Sequence, residues 1–503
     1  MKNLSLMLFA ISHFVICLGM FPSALAQQNY DLKQYVIPDY QLRALNLNFN
    51  SGAISRSFKS ELDQVNRNYN FRRFDADIHA DYYAVKNSRR FQGSQSIYFS
   101  IAPAFFKQKE NISSGLSQQE SINKQRQIIS NFGYSTSNRY YNTKKQFFEI
   151  GASVDGRYSA SNSKVNSIAG VDFVGIDRSN GRAVNLFLPV GIGTGRIEPV
   201  QDARMATYIL DDLYAAGNLT KQPGQQEMLK LAEAITKVKN RRFFHPRLKK
   251  IAEITAIDSA IRQMGINSET GASYYTAIND NWEFAYMPGR QSGRRLSFQI
   301  LPAISFTALK SNTRTESVSQ TLPLYIMDVE RYQQHLQYQL GAGFDYRMEN
   351  PVSLTWQHST RAGVSYVYQA WNRKQIIKDL NTSPIESKTD SYMPFINAHL
   401  MHAIGYYPNS RTSFSLMGSL FYEQRLKIVQ TDDINLAPAY YGIYPAVGFA
   451  GDYYFSARLQ LSFTAGSEYV FQDVRAKASN GIKKQLNERF ENYFNIAFVY
   501  RLL

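Results

Sequence analysis

Asp75, Asp77, His79 and Asp81 alternate along one short stretch of the 503-residue chain. In an extended segment all four side chains leave one face, at steps of about 6.5–7 Å. Carboxylates and an imidazole can bind a divalent metal or relay protons, but members so spaced cannot share one ion without help from a neighbouring strand. The plainer expectation is a polar wall facing water and balanced by arginines. His358 and Ser359 are adjacent, so in a strand they diverge, the histidine joining Leu354 and Trp356 on one face and the serine the other. His399 and His402 likewise fall on opposite faces. No nucleophile, base and orienting group converge, so an enzyme, a metal site and a cofactor are not expected.

Two further stretches invite a chemical reading. GIGTGRIEPVQDARMATYILDDL, Gly191 to Leu213, is a glycine-rich turn before a helical pattern. Such turns cradle phosphates, but the dinucleotide fingerprint needs a glycine where Arg196 stands, and no Gly-Lys-Ser/Thr follows. The glycines read instead as the thin end of a strand bending into a helix. Lys237, Lys239, Arg241, Arg242, Arg247, Lys249 and Lys250 crowd one turn between two helical patterns. They are the candidate contact for an acidic partner or anionic polymer, with a solvated helix end as the bland alternative.

The elements that position these residues begin with MKNLSLMLFAISHFVICLGMFPSALAQQ, which reads as a secretory signal over residues 1–26. The single cysteine, Cys17, lies inside it. After Ala26 no apolar run reaches the roughly 18 residues of a membrane-spanning helix. Aromatics nonetheless make up 14% of the chain, with 34 Tyr and 32 Phe, and tyrosine favours places where one end is apolar and the other wet. Apolar residues recur at every second position over long stretches, as in ARLQLSFTAGSEYVF, where Leu459, Leu461, Phe463, Ala465, Tyr469 and Phe471 face one way. The same period runs through Leu45–Phe49, Phe74–Ala84, Tyr332–Tyr346, Phe494–Leu502 and Val352–Tyr368, the last interrupted on its apolar face by His358 and Thr360. Apart from Leu45–Phe49, these runs exceed the five or six residues of a typical soluble strand and reach or pass the 9–11 that a tilted strand needs to cross a bilayer.

On these residues the chain resembles Gram-negative outer-membrane β-barrel proteins of porin or transporter type, over most of its length outside residues 199–292. Its end, FNIAFVYRLL, alternates as the last strand of that family does, although Leu503 replaces the usual final aromatic. The start GRIEPVQDA is similar to inserts in barrel proteins of Bacteroidetes-type bacteria. The resemblance implies an all-β transmembrane antiparallel barrel in the outer membrane, short turns at the periplasm and long loops outside. It also implies contact with outer-membrane lipid, lipopolysaccharide and the barrel-insertion machinery.

Short turns are expected near Asn87–Arg90, Tyr141–Lys144, Glu349–Pro351, Tyr407–Arg411 and Asp452–Ser456, and long polar loops near residues 54–69, 108–123, 163–182, 311–330, 373–390, 430–438 and 474–486. About 14 strands result. Residues 27–198 and 293–503 then form the two parts of the barrel around a helical periplasmic insert at 199–292. Three helices are expected there: one from Pro199 to Gly217, one over Met228–Val238 and one from Pro246 to Gly265. A formal charge of +16 favours anions in a pore or lipopolysaccharide phosphates at the loops, and nucleic acid is not expected. The functional expectation is a channel or uptake protein for small hydrophilic solutes, anionic ones included, with Asp75, Asp77, His79 and Asp81 facing the lumen. The alternative makes the barrel an anchor whose helical insert binds a periplasmic protein partner.

Overall fold

The computed structural model describes residues 30–62, 65–114, 117–169, 171–240, 246–265, 270–284, 289–318, 325–379, 382–426, 429–430, 439–456, 459–478 and 481–500. The expected signal segment, Leu503, Arg241 and Arg242 lie outside them. The two-residue period becomes one antiparallel sheet. Its strands are β1 (Tyr40–Leu62), β2 (Val65–Ser88), β3 (Phe91–Ser114), β4 (Ser117–Tyr141), β5 (Gln146–Ala169), β6 (Val171–Phe187) and β7 (Val190–Pro199). After a helical segment come β8 (Gln291–Ile300), β9 (Ala303–Val318), β10 (Tyr325–Pro351), β11 (Trp356–Asp379) and β12 (Thr382–Tyr406). The sheet ends with β13 (Thr412–Arg425), the two-residue β14 (Val429–Gln430), β15 (Ala439–Tyr454), β16 (Leu459–Ala478) and β17 (Gly481–Tyr500).

Sixteen of these strands have ten residues or more. Two pairs are collinear halves of one pass: β6 and β7 both pair with β5, and β8 and β9 both pair with β10. The halves meet at Pro189 and Pro302, each of which lacks the N–H a continuous ladder would use. The chain therefore crosses the barrel-like sheet fourteen times, each pass antiparallel to the next. Among the described residues β1 pairs only with β2 and β17 only with β16, leaving one free edge on each.

Direct cross-strand partners share a face, and here that face stays apolar from pair to pair. Leu47 opposes Ala80, which opposes Phe99, which opposes Phe132. Ile192 opposes Phe298, which opposes Phe344, which opposes Val364. On β10 the apolar run is Tyr338, Leu340, Ala342, Phe344 and Tyr346, about the length that crosses a bilayer. A row of contacting rings, Trp356, Tyr406, Phe414, Phe449 and Phe463, edges this belt near the short turns. Solvent-facing aromatics of this kind are the girdle that a headgroup region accommodates.

The expected long loops differ from what is seen. Residues 54–62 continue β1 and pair with 65–73 of β2, down to Leu62 opposite Val65. The segments 108–114 with 117–123, 163–169 with 171–177, 311–317 with 325–331, and 474–478 with 481–485 zip up the same way. Polar residues interrupt the apolar face of these stretches, as Arg56, Ser60, Arg67 and Arg73 do among Ile54, Phe58, Leu62, Val65, Tyr69 and Phe71, so the two-residue signature is weak while backbone hydrogen bonds still form the ladder. Residues 373–379 likewise pair with 382–389, while 431–438 lie outside the described residues. The short turns fall at 89–90, 142–145, 352–355, 407–411 and from 455 onward, so two are displaced by a few residues toward the C-terminus.

Gly191 and Gly193 stand inside β7, opposite Gln299 and Ser297, so the glycine run is ladder and not a phosphate turn. Gly195 (φ +91°), opposite Arg295, and Gly293 (φ +122°), opposite Ile197, are left-handed residues two positions apart in register where β7 and β8 approach the helices. A Cβ on either would meet the partner strand's carbonyl at 2.1–2.2 Å.

Among the described residues the insert contains four helices, one more than expected: α1 (Gln201–Ala215), α2 (Gln225–Lys239), α3 (Pro246–Gln263) and α4 (Ala272–Phe284). Pro199 ends β7 and does not open a helix. Met228, Leu231, Ala232 and Ile235 of α2 meet Met205, Ile209 and Leu213 of α1 in a core completed by Ile257, Ile261, Tyr274 and Ile278. The helix missed from sequence, α4, buries chiefly Tyr274, Ile278 and Asn281, too sparse a set to show a helical period. Residues 30–37 also join this core. Tyr30 donates to Pro223 O, Tyr35 bonds Thr236 Oγ1 at 2.5 Å, and Leu32 is buried between them. Burial pushes both tyrosine hydroxyls above their ordinary range.

Arg290 clamps this subdomain to the short-turn end of the sheet. It is 1% exposed, and it donates to Ser353 O at 2.8 Å, Trp356 O at 2.7 Å, Gln357 Oε1 at 3.0 Å and also Leu354 O. Its guanidinium and that of Arg204 each lie 5.2 Å from the Tyr407 ring. Burial and the Arg204 charge lower its pKa to about 10, so it is charged at neutral pH. Arg290→Met removes those donors from the carbonyls of Ser353, Leu354 and Trp356, at a cost of about 2–5 kcal/mol in docking. Limited proteolysis should then release the helices at a protease level the parent survives, while the sheet's cold-versus-boiled gel shift stays intact.

Candidate functional site

The face opposite the apolar one carries the chemistry. Near the helical end three arginines from adjacent strands stand in direct register: Arg295 of β8 opposes Arg347 of β10, which opposes Arg361 of β11. Like charges directly opposed repel, and acids one step along the same strand offset two of them. Arg347 binds Glu349 at 2.9 Å, and Arg361 binds Asp345 at 3.2 Å. Arg295 opposes Gly195 on its other side, where no side chain covers it. Next to this row Arg139 and Glu149 form a 2.5 Å pair, and Glu149, 5% exposed, also accepts from Ser137 and Gln299. The reach from β5 to Gln299 on β8 is open because Gly191 between them has no side chain.

The row connects to the helical clamp. Gln357 accepts from Arg290 and donates to Glu349 at 2.9 Å, and Glu349 also accepts from Ser359 at 2.6 Å and holds Arg347.

A second basic row crosses the same face farther from the helices. Arg157, Ala183, Thr307, His335 and Arg373 are successive partners on β5, β6, β9, β10 and β11. On both β10 and β11 the two rows lie twelve residues apart, which is about 40 Å along a strand, or about 28 Å across a sheet tilted by ~45°.

The residues singled out from sequence are placed as follows. Asp75, Asp77, His79 and Asp81 share the polar face of β2, opposite Gly52, Asn50, Asn48 and Asn46 of β1. His79 Nε2 lies 2.6 Å from Asp81 Oδ1, and Arg73 pairs with Asp75 at 3.0 Å. Among the described residues no group of three or more potential ligands gathers around one point. His358 and Ser359 diverge: the histidine lies on the apolar face with its ring 5.4 Å from that of His402, and the serine turns to Glu349. His399 points to the polar face, 3.9 Å from Asp345, while His402 bonds Thr360 on the other. Of the basic cluster, Lys237 pairs with Glu233, Lys239 with Asp202 and Lys250 with Glu283. Arg247 and Lys249 stand on the first turn of α3. The cluster is thus divided between two helices and partly neutralised.

Both arginine rows escaped the sequence reading. Parity along each strand put Arg295, Arg347 and Arg361 on polar positions, but their assembly into a row depends on the registers of strands far apart in sequence. Glu149→Gln leaves Arg139 beside Arg295 with no carboxylate, which should cost roughly 3 kcal/mol. The temperature at which the folded gel band is lost on heating should fall, whereas Asn131→Gln on the same face should not move it.

No family model and no curated protein matches the chain. Solved structures overlap it across most of its length at low similarity. The Pseudomonas putida toluene transporter TodX has 9% identity over 95% of this chain and 93% of that one, with a TM-score of 0.29. The CymD monoaromatic hydrocarbon channel has 11% identity over 96% and 93%, with a TM-score of 0.23. The translocator domain of autotransporter NalP from Neisseria meningitidis has 8% identity over 83% and 90%, with a TM-score of 0.21. Scores this low do not establish a shared fold or function, and no family membership follows from them.

Proposed function

We propose that the chain is an outer-membrane β-barrel channel of fourteen passes for small hydrophilic solutes, with a preference for anions. The observation that carries this reading is the predominantly apolar face, carried from pair to pair across the sheet and interrupted at positions such as His358, Thr360 and His402, while its reverse is predominantly polar. Only a solvent that is hydrocarbon outside and water inside rewards that arrangement, and in hydrocarbon a sheet with free edges strands its backbone polar groups. Closure therefore joins β1 to β17, which run antiparallel because β1 leaves the short-turn end and β17 returns to it. In the closed ring β2 lies six to seven passes from β10 and β11, so the Asp75–Asp81 wall faces the arginines across the lumen. Anions are favoured because guanidinium rows stand at both ends of the water-filled path.

Two experiments test this. The only cysteine lies within residues 1–26, so pairs can be introduced freely. Leu47→Cys combined in turn with Phe494→Cys, Ile496→Cys and Phe498→Cys should give an intramolecular cross-link in one combination in membranes. Failure of every β1–β17 combination across the strands, with a β1–β2 control pair oxidising, would remove closure. In planar bilayers the purified protein should conduct with anion permeability above cation permeability, and Arg295→Gln with Arg361→Gln should bring the reversal potential toward zero. A protein silent at all voltages defeats the channel reading.

A further inference from the structure

The row of Arg157, His335 and Arg373 borders a cavity of ≈ 500 Å³ on the polar face, a volume that suits a small organic molecule. We propose that this cavity binds a small organic carboxylate, its oxyanion held by Arg157 and Arg373 and its apolar part against Leu309 and Ala183. The inference deepens the channel reading by assigning a solute class and a place where that solute pauses.

Three observations lead there. The first is charge: the cavity is lined by Arg157, Arg182, Arg373 and His335, and neither its lining nor the register row contains an acid. The row near the helices differs, since Asp345 and Glu349 interleave with its guanidiniums. Uncompensated guanidiniums facing one cavity attract an oxyanion and can bind both of its oxygens at once.

The second is an apolar side chain on the wrong face. Leu309 stands between Gly181 and Gln333 on the polar side of the sheet and is 43% exposed. Beside it Gly181 and Ala183 keep the wall low, so the leucine and alanine form an apolar floor next to the arginines. Inorganic phosphate has no use for that floor, whereas a carboxylate with a short hydrocarbon chain does.

The third is the remaining polar lining. Ser159, Gln333 and Gln375 surround the charged groups with uncharged donors and acceptors. These suit a solute that must be released again, because bonds to neutral groups are weaker than those to charged ones. A conducting site has to bind weakly enough to let go.

Hexanoate, inorganic phosphate and 1-hexanol serve as probes on the detergent-solubilised full-length protein, by calorimetry and as blockers of single-channel current. Hexanoate should bind and interrupt current, phosphate should do so more weakly, and hexanol should do neither. The double variant Arg157→Gln, Arg373→Gln should weaken hexanoate by about tenfold or more. Leu309→Ser should weaken hexanoate while leaving phosphate unchanged. Folding of each variant is checked by its cold-versus-boiled gel shift. Equal binding of hexanoate and hexanol, equal binding of hexanoate and phosphate, or hexanoate binding indifferent to the arginines would each overturn the site. Conductance without hexanoate binding sinks this site and leaves the channel standing, whereas binding without conductance keeps the site and removes the channel.

Discussion

Everything in this sheet depends on register. In an antiparallel ladder each residue shares its face with its partner, and a slip of one residue would send every leucine to the polar side and every arginine to the apolar one. Twenty-odd consecutive pairs between β1 and β2, or β3 and β4, hold without a shift. The apolar run on any one strand is short, so the belt exists only because neighbouring strands agree. The same agreement that aligns Ile192, Phe298, Phe344 and Val364 on one side aligns Arg295, Arg347 and Arg361 on the other.

The helical subdomain belongs to this arrangement and is not an appendage. It interrupts the sheet between β7 and β8, yet those two strands pair with each other from Val190 to Pro199. The entry and exit strands thus arrive side by side, and the left-handed pair Gly195 and Gly293 lets both bend away without a clash. Residues 30–37, before β1, return to the same helices through Tyr30 and Tyr35. Three separate chain segments therefore meet at one end of the sheet, and Arg290 ties them to the 353–357 turn through the carbonyls of Ser353, Leu354 and Trp356 and the side-chain amide of Gln357.

Much of the architecture was legible because alternation is a local property. Leu459 to Phe471 or Phe74 to Ala84 declare a two-faced strand in a dozen letters, and α1, α2 and α3 declare a helix through apolar residues three and four apart. What escaped was whatever lacks a local apolar signature or rests on distant pairing. Residues 54–62 and 65–73 mix Ile54, Phe58, Leu62, Val65, Tyr69 and Phe71 with Arg56, Ser60, Arg67 and Arg73 on one face, and that broken alternation does not separate a ladder from a loop. Tyr30, Leu32 and Tyr35 look like a short linker because their core is supplied two hundred residues later. The acidic and histidine run of β2 was conspicuous, being consecutive in sequence. The arginine rows were silent, since each strand contributes one residue and only the sheet makes them neighbours.

The arginine row near the helices also shows how a sheet can hold like charges in contact. Three guanidiniums on adjacent strands, about 4.8 Å apart at the backbone, would repel if alone. Asp345 and Glu349 are set two residues from the row on β10, so Asp345 reaches Arg361 diagonally and Glu349 reaches Arg347 along its own strand without breaking the arginine line. Glu349 is in turn oriented by Gln357 and Ser359, and Gln357 by Arg290. A fixed carboxylate thus needs a fixed amide, which needs the clamp that docks the helices. Charge at the mouth and attachment of the subdomain are two ends of one hydrogen-bond chain, so a change at either end is felt at the other through Glu349.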